Sequence, residues 1–281
     1  MAFDSIINVH QLNSHLNDPN WLVVDCRYDL FDPEYGEQAY LSAHIPGAVF
    51  ADINTQLSGP VIPGKTGRHP LPQIDDLTKT FSNWGIDENT QVVGYDDGGG
   101  KFAARLWWLL HWLGHPQVAV LDGGIDIWKN ANLPLETSPA SRDRKQFIPN
   151  PQPQMIINLS QMNTIPSKLT IIDSRAPERY AGKIENIDPV AGRIPRAKNR
   201  FFQKNLQEDL TFLTPKVLKN QFSTLLKEST PDNVVFYCGS GITGSHNVLA
   251  MYMSGLGMPK LYPGSWSEWI TDPSRPIEKD N

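Results

Sequence analysis

One cysteine stands in a segment whose composition favours nucleophilic chemistry. Cys238 follows the apolar run 234–237 (VVFY), and the next six residues are Gly239, Ser240, Gly241, Ile242, Thr243 and Gly244. Glycines allow successive backbone N–H groups to turn towards one point, and the positive N-terminal end of a following helix adds to the same field. Such surroundings stabilise a negatively charged sulfur, which is the nucleophilic form of cysteine. We therefore predict that Cys238 is the reactive residue and that residues 239–243 form the active-site loop.

The second cysteine and the histidine pair His111 and His115 lack the sequence features of a catalytic or metal site. Cys26 lies within the run VVDCR (23–27), a position typical of a buried cysteine. His111 and His115 stand four residues apart, but Trp112 occupies the place that a glutamate has in a zinc-protease helix. The sequence has no cluster with metal-ligand spacing and no glycine-rich dinucleotide motif after a strand, so we expect neither a metal nor another cofactor.

The sequence contains the same motifs twice in the same order. The matching pairs are VVDCR (23–27) with IIDSR (171–175), AHIPGA (43–48) with GRIPRA (192–197), QVVGYDDGGG (91–100) with NVVFYCGSGI (233–242), and LDGGIDIW (121–128) with YPGSWSEW (262–269). Asp96 stands opposite Cys238 in this alignment, so the first copy lacks the thiol. A duplication of this length predicts two domains, which we place at 1–136 and 154–281, with the proline-rich segment 137–153 as a linker.

Each copy alternates short β-branched runs with helix-like stretches. The order strand, helix, strand occurs at 92–95, 102–113 and 118–121, and again at 234–237, 245–253 and 260–262. Such alternation is typical of an α/β fold in which a mostly parallel sheet is flanked by helices. The sites of these sheets lie where a strand ends and a loop leads into a helix, which is the position of Cys238.

Charge and composition limit the partners of this chain. The 281 residues include 25 Lys and Arg against 30 Asp and Glu, a net charge of −5 that offers no general basic surface to nucleic acid or to an anionic membrane. The most apolar stretch, LWWLLHWL (106–113), is shorter than the ~18 residues that a membrane-spanning helix needs. The first basic residue is Arg27, which does not fit a signal or transit peptide, and two cysteines are too few for a disulfide scaffold. We therefore expect a cytoplasmic protein.

Taken together, these motifs resemble the two-domain rhodanese-type sulfurtransferases. The loop CGSGIT (238–243) is similar to the CGSGVT loop of the 3-mercaptopyruvate branch, and VVDCR, AHIPGA, GRHPLP, YDDGGG, LDGG, DSR and LYPGSWSEW follow in the family's order over nearly the whole chain. The resemblance implies two tandem rhodanese-like domains, the first a non-catalytic copy because Asp96 replaces the cysteine. It also implies that Cys238 takes a sulfane sulfur from 3-mercaptopyruvate or thiosulfate as a persulfide and passes it to a thiol, a thioredoxin-like protein or cyanide.

The resemblance further implies a hydroxyl relay beside the cysteine. In the 3-mercaptopyruvate branch a serine two residues after the cysteine, here Ser240, works with a histidine and an aspartate from the first domain. The histidine corresponds to His69 in GRHPLP, and the aspartate position falls on Asn54 in ADINTQL. An amide accepts a hydrogen bond from an imidazole but lacks the charge of a carboxylate, so the relay uses either Asn54 or Asp52.

The carboxylate of the donor calls for a cation with the forked geometry of arginine. In the family an arginine shortly after the second DSR motif supplies it, and this position corresponds to Arg179 in APERYAG. A second family arginine, further along the same loop, is missing here, because Val190 stands about where it would fall. Arg193 and Arg196 are candidates to replace it, although a solvated surface charge is the usual role of such residues.

Other classes of protein compete with this interpretation. Cysteine-dependent phosphatases and arsenate reductases also place a cysteine on a glycine-rich loop, but they need an arginine six residues later, where this chain has Gly244. A thioredoxin-like redox pair would need a second cysteine at the position of Gly241. Duplicated domains also survive as binding modules, which would predict loss of the nucleophile from both halves, whereas the second half keeps Cys238.

Overall fold

The computed structural model describes residues 2–164 and 166–280, and the chain divides into two compact units. The first unit comprises Met1–Gly59, Pro72–Gln152 and Gln207–Phe212, and the second comprises Pro60–Leu71, Pro153–Leu206 and Leu213–Asn281. The segment Pro60–Leu71 comes from the first half of the sequence but belongs to the second unit, and it carries His69. The domain boundaries proposed from chain order, 1–136 and 154–281 around a linker, stay a prediction.

The first unit is built around a parallel sheet. Its strands are β1 (Ile6–Ile7), β2 (Trp21–Asp25), β3 (Val49–Phe50), β4 (Gln91–Tyr95) and β5 (Val118–Leu121), and its helices are α1 (Val9–Asn13), α2 (Tyr35–Ser42), α3 (Ile74–Asn83), α4 (Ala103–Trp112) and α5 (Gly124–Asn130). The strand order is β1-β5-β4-β2-β3, and each neighbouring pair is parallel. Every residue of β4 is buried, as expected for an inner strand of a helix-flanked parallel sheet.

The second unit repeats this plan with its own parallel sheet. Its strands are β6 (Thr170–Asp173), β7 (Lys198–Asn199), β8 (Val234–Tyr237) and β9 (Lys260–Leu261), and its helices are α6 (Leu159–Asn163), α7 (Pro177–Tyr180), α8 (Pro215–Leu226), α9 (Ile242–Met253) and α10 (Ser265–Trp269). Short 3-10 helices lie at Pro153–Met155, Phe202–Asn205 and Pro231–Asn233. The strand order is β7-β6-β8-β9, again with parallel neighbours. Two helix-flanked parallel sheets confirm the predicted fold class.

Matching hydrogen bonds fix matching elements in the two units. Asn8 and Asn158 are the N-caps of α1 and α6, and each forms a capping box with the glutamine three residues later. Asp25 at the end of β2 and Asp173 at the end of β6 each bind the guanidinium of the arginine two residues later. The duplication seen in the sequence is therefore a duplication of local structure as well.

The apolar helix α4 packs inside the first unit. In α4, Trp107 and Trp108 are completely buried, and Trp112 is 8% exposed. Within residues 2–164 and 166–280, none of the helices combines the length and the apolarity that crossing a membrane requires. The tryptophans of α4 thus belong to the core of the first unit.

Candidate active site

Cys238 lies directly after β8, an inner strand of the second sheet, and shortly before α9. The residue is 2% exposed, and its Sγ accepts a hydrogen bond from the backbone N–H of Gly241 at 3.1 Å. This is the strand end at which the sequence predicted the reactive residue. The sulfur therefore has a backbone donor from its own loop.

The loop turns at Gly241, whose φ of +83° lies in the left-handed region. A Cβ at this position would lie 2.4 Å from the carbonyl oxygen of Pro263, so both the dihedral angle and the available space require glycine. The turn directs the N–H of Gly241 at Sγ of Cys238 and starts α9 at the next residue. The glycine-rich composition of the loop thus has a specific conformational cause.

Helix α10 holds the loop from its other side. The N–H groups of Trp266 and Ser267 donate to the carbonyl oxygens of Cys238 and Gly239 at 3.0 and 2.9 Å. The hydroxyl of Ser265 accepts a hydrogen bond from the N–H of Cys238 at 3.1 Å. The cysteine backbone is therefore bound at both its N–H and its carbonyl.

Ser240 and His69, predicted to act together, are in contact. Nδ1 of His69 lies 2.7 Å from Oγ of Ser240, and the two residues are 171 positions apart in the sequence. They are 4% and 6% exposed, so this hydrogen bond is shielded from bulk water. The structure therefore brings a hydroxyl and an imidazole together two residues after Cys238.

Asn54 and Asp52, the two candidates for the third member of the relay, belong to the first unit. The side-chain oxygen of Asn54 accepts a hydrogen bond from the Tyr28 hydroxyl at 3.2 Å, and Asp52 accepts one from the N–H of Asn54 at 2.7 Å. These partners lie inside the same unit as the two residues themselves. A part for either residue in a relay stays a prediction.

Arg179, the predicted carboxylate-binding residue, lies in α7 and is held by two acidic side chains. Its Nε donates to both carboxylate oxygens of Glu185 at 3.0 and 3.1 Å, and its Nη2 donates to Oδ2 of Asp188 at 2.8 Å. Burial by itself would raise the pKa of Glu185, but hydrogen bonds from Arg179 and from backbone N–H groups hold that pKa below its usual value. The guanidinium is thus oriented along two of its edges.

A second arginine, which the sequence analysis did not single out, stands beside the first. Asp188, whose side chain is only 1% exposed, pairs with Nη1 of Arg68 as well as with Arg179. A Cβ on Gly239 would lie 2.8 Å from Nη2 of Arg68 and 3.7 Å from both Nη atoms of Arg179. Two guanidinium groups therefore lie next to the residue that follows Cys238.

The only sequence signal for Arg68 was its position directly before His69. The two arginines considered instead have other partners. Arg193 forms ion pairs with acidic residues close to the C-terminal end, and Arg196 donates to a backbone carbonyl. Neither contact brings a guanidinium to the cysteine loop.

The matching loop of the first unit holds a carboxylate in place of the thiol. Asp96 accepts hydrogen bonds of 2.7 to 2.9 Å from the backbone N–H groups of Gly98, Gly100, Phe102 and Ala103. Asp96 is completely buried, and burial raises its pKa above the usual value although the four donors oppose that rise. The loop after β4 is therefore filled by the carboxyl group of its own Asp96 side chain.

Cys26 is completely buried in the first unit. Burial, together with the nearby charges of Asp96 and Asp25, raises the pKa of this thiol well above its usual value. A thiol that stays protonated is a poor nucleophile. The structure confirms the prediction that Cys26 is buried.

Comparison with known proteins identifies the family. Residues 8–131 and 158–272 each match the rhodanese-like domain. The chain belongs to the rhodanese family. Both copies found by internal repetition are thus rhodanese-like domains, and the two-domain rhodanese sulfurtransferase predicted from the motifs is confirmed.

The relatives of this rhodanese are sulfurtransferases. A Pseudomonas aeruginosa protein named "Probable 3-mercaptopyruvate sulfurtransferase" is 46% identical over 280 residues, which is 99% of each chain. An Arabidopsis thaliana protein named "Thiosulfate/3-mercaptopyruvate sulfurtransferase 2" is 30% identical over 98% of this chain and 86% of its own length. The crystal structure of SseA from Escherichia coli, a 3-mercaptopyruvate sulfotransferase, is 27% identical, with a TM-score of 0.79 over 95% of this chain and 100% of that one.

These similarities decide the class of enzyme. The chain is a sulfurtransferase, and this activity implies a small-molecule sulfur donor and a thiol acceptor. The phosphatase and the binding-module interpretations receive no comparable support.

Proposed function

We propose that this rhodanese transfers sulfur from 3-mercaptopyruvate, through a persulfide on Cys238, to a thiol acceptor. The observation that carries the choice of donor is the 2.7 Å contact between Ser240 and His69, because this donor needs a proton moved during the reaction. The 46% identical Pseudomonas relative, named for the same substrate, supports that choice.

The first half-reaction loads the cysteine. The thiolate of Cys238 attacks the sulfur of 3-mercaptopyruvate, so an S–S bond forms while the C–S bond breaks. The electron pair of the broken bond passes to the carbon, which becomes the enolate of pyruvate. The proton of the donor thiol ends on that carbon, and we assign its transfer to the Ser240 hydroxyl and His69.

The second half-reaction regenerates the enzyme. A thiolate of the acceptor attacks the outer sulfur of the persulfide, the S–S bond breaks, and Cys238 leaves as a thiolate. The N–H of Gly241 and the positive N-terminal end of the 12-residue helix α9 stabilise the charge on the departing sulfur. We expect the acceptor to be a thioredoxin-like protein, a small thiol or cyanide. The cytoplasmic location of the protein stays a prediction.

Thiosulfate is the second candidate donor, because the two guanidinium groups beside Gly239 would also attract this anion. Thiosulfate is a dianion, and its transfer breaks an S–S bond and releases sulfite with the bonding electron pair. No proton has to move in that step, so the contact between Ser240 and His69 would contribute little. The Arabidopsis relative, whose name includes both donors, supports keeping this alternative.

Intact-mass measurement after incubation with 3-mercaptopyruvate tests the proposal. We expect the mass of one additional sulfur atom on the unmodified protein and on Cys26→Ala, and no addition on Cys238→Ser. The Cys26 variant is the matched control because it removes the other thiol. Sulfur loading of Cys238→Ser would refute the role of Cys238, and a higher kcat/KM for thiosulfate than for 3-mercaptopyruvate would select the second donor.

A further inference from the structure

We infer that Arg68 is the second anion-binding residue of the donor site, and that it binds the donor's carboxylate together with Arg179 above Gly239. This inference rests on the proposed function, since it concerns how that donor is held. It assigns a role in substrate binding to the segment Pro60–Leu71, which lies far from the other site residues in the sequence.

In each of the two guanidinium groups, one terminal nitrogen is open to a ligand. Arg68 uses Nη1 to bind Asp188, while Arg179 uses Nε and Nη2 to bind Glu185 and Asp188. In the part of the chain that the structure describes, Nη2 of Arg68 and Nη1 of Arg179 have no hydrogen-bond partner. Nε of Arg68 is buried and also lacks a partner. A carboxylate has two oxygens and would accept from both open nitrogens at once.

Both open nitrogens lie over the residue next to the nucleophile. Each is no further than 3.7 Å from the point that a Cβ on Gly239 would occupy. In 3-mercaptopyruvate two carbon atoms separate the carboxyl carbon from the sulfur, just as two backbone atoms separate neighbouring Cα atoms. The distance from the carboxyl carbon to the sulfur is therefore close to the ~3.8 Å between neighbouring Cα atoms. A carboxylate bound above Gly239 would therefore leave the donor sulfur near Cys238, and glycine at position 239 leaves room for it.

Asp188 positions both arginines before the donor arrives. Its carboxylate binds one guanidinium with each oxygen, and its side chain is 1% exposed. Side chains that are already ordered lose less conformational entropy when they bind a ligand. Asp188 is thus a positioning residue for Arg68 and Arg179.

The site beside Gly239 suits an anion because its guanidinium N–H groups are held in fixed positions. An excess of positive charge is not the reason. The cluster consists of three arginines and three carboxylates, namely Arg68, Arg175, Arg179, Asp173, Glu185 and Asp188. Its formal charge is therefore zero. Planar N–H donors in fixed positions favour a carboxylate over a less directional partner.

The loop that follows the second DSR motif, and that contains Val190, does not supply a second cation. Val190, which stands where the family's second arginine would fall, packs against the core of the second unit, and its carbonyl accepts a hydrogen bond from Nε1 of Trp266. Arg68 reaches the same neighbourhood from a different segment of the chain.

Steady-state kinetics with 3-mercaptopyruvate on Arg68→Met and Arg68→Lys test this role. Methionine keeps most of the apolar stem without the charge, and we expect the KM to rise roughly 10- to 100-fold, the range for loss of a charge-assisted hydrogen bond. The kcat should change much less, because the reacting sulfur and Ser240 are untouched. Lysine restores a charge without the fork, so its KM should lie between those of methionine and arginine. Arg144→Met is the matched control, because it removes an exposed arginine of the first unit.

Competitive inhibition by pyruvate and by its methyl ester separates binding from a change in shape. Arg68→Met should weaken inhibition by pyruvate by the same factor as the KM and leave the uncharged ester unchanged. Equal weakening of both inhibitors, or a KM within about twofold of the unmodified enzyme, would overturn the inference. If Arg68→Met fails to fold, Arg68→Lys and the two inhibitors give the same decision. Failure of the proposed function is a different result, namely no persulfide on the unmodified enzyme.

Discussion

Changing Ser240 to alanine removes the hydroxyl that lies 2.7 Å from Nδ1 of His69 and leaves the backbone of the loop in place. Both residues are nearly buried, at 6% and 4% exposure, so bulk water does not readily replace the hydroxyl. A positioned proton transfer contributes about 100- to 10,000-fold, and a water that enters the vacated space would recover part of this. We expect kcat with 3-mercaptopyruvate to fall about 10- to 100-fold, or about 1.4 to 2.7 kcal/mol in activation free energy.

The assay compares the two donors with one acceptor thiol, following pyruvate release in one case and sulfite release in the other. Thiosulfate transfers its sulfur without moving a proton, so its kcat should change by less than about threefold in Ser240→Ala. Ser240→Thr retains a hydroxyl and should recover most of the rate with 3-mercaptopyruvate. Ser245→Ala is the matched control, because it removes another buried hydroxyl, which donates to the Gly241 carbonyl at 2.9 Å. This control should affect both donors alike.

An equal loss with both donors in Ser240→Ala would contradict the relay. Ser240 would then be a residue that maintains the shape of the loop, as Ser245 is expected to be. A rate in Ser240→Thr that stays as low as in Ser240→Ala would point the same way, since the hydroxyl would be present without effect.

Two further predictions concern stability. Asp96→Ala leaves four N–H groups of the first loop, three of them buried, without their acceptor, so the free energy of unfolding in urea should fall by about 2–4 kcal/mol, and an unchanged value would contradict the assigned role. Burial lowers the pKa of His111 to about 4, whereas a histidine in the unfolded chain has a pKa near 6.5. Between these two pH values the unfolded chain therefore binds more protons than the folded protein. The free energy of unfolding should consequently fall as the pH drops from about 6.5 to about 4. The unfolding free energy of His111→Gln should lose this part of the pH dependence, and parallel profiles for the two proteins would refute the assignment.

The cysteine loop could be predicted because its features are local in the sequence. The left-handed turn at Gly241, the start of α9 and the donor to Sγ of Cys238 all lie within the five residues 238–242. Alternating apolar runs and helical stretches likewise predicted a parallel sheet in each half, since both periodicities are read over short windows. The absence of the thiol from the first copy was equally visible, because Asp96 and Cys238 follow equivalent strands.

The roles of single polar residues along the chain were harder to predict. His69 was assigned only through the resemblance of GRHPLP to a family motif, since a histidine between Arg68 and a proline has no local feature of a catalytic group. The arginine candidates considered after Arg179, namely Arg193 and Arg196, lie in a matched motif, but the structure gives them partners elsewhere. A charged side chain is long, and its partner depends on which segments pack nearby.

The sequence by itself determined the duplicated α/β plan and predicted the reactive cysteine and its glycine-rich loop, because these follow from neighbouring residues. Only the tertiary structure decided which side chains meet beside the cysteine loop. It joined His69 to Ser240 across 171 positions, and it placed Arg68 and Arg179 on the two oxygens of Asp188. Contacts between distant segments are set by packing and by the burial of polar groups that must find partners, and no local pattern encodes them.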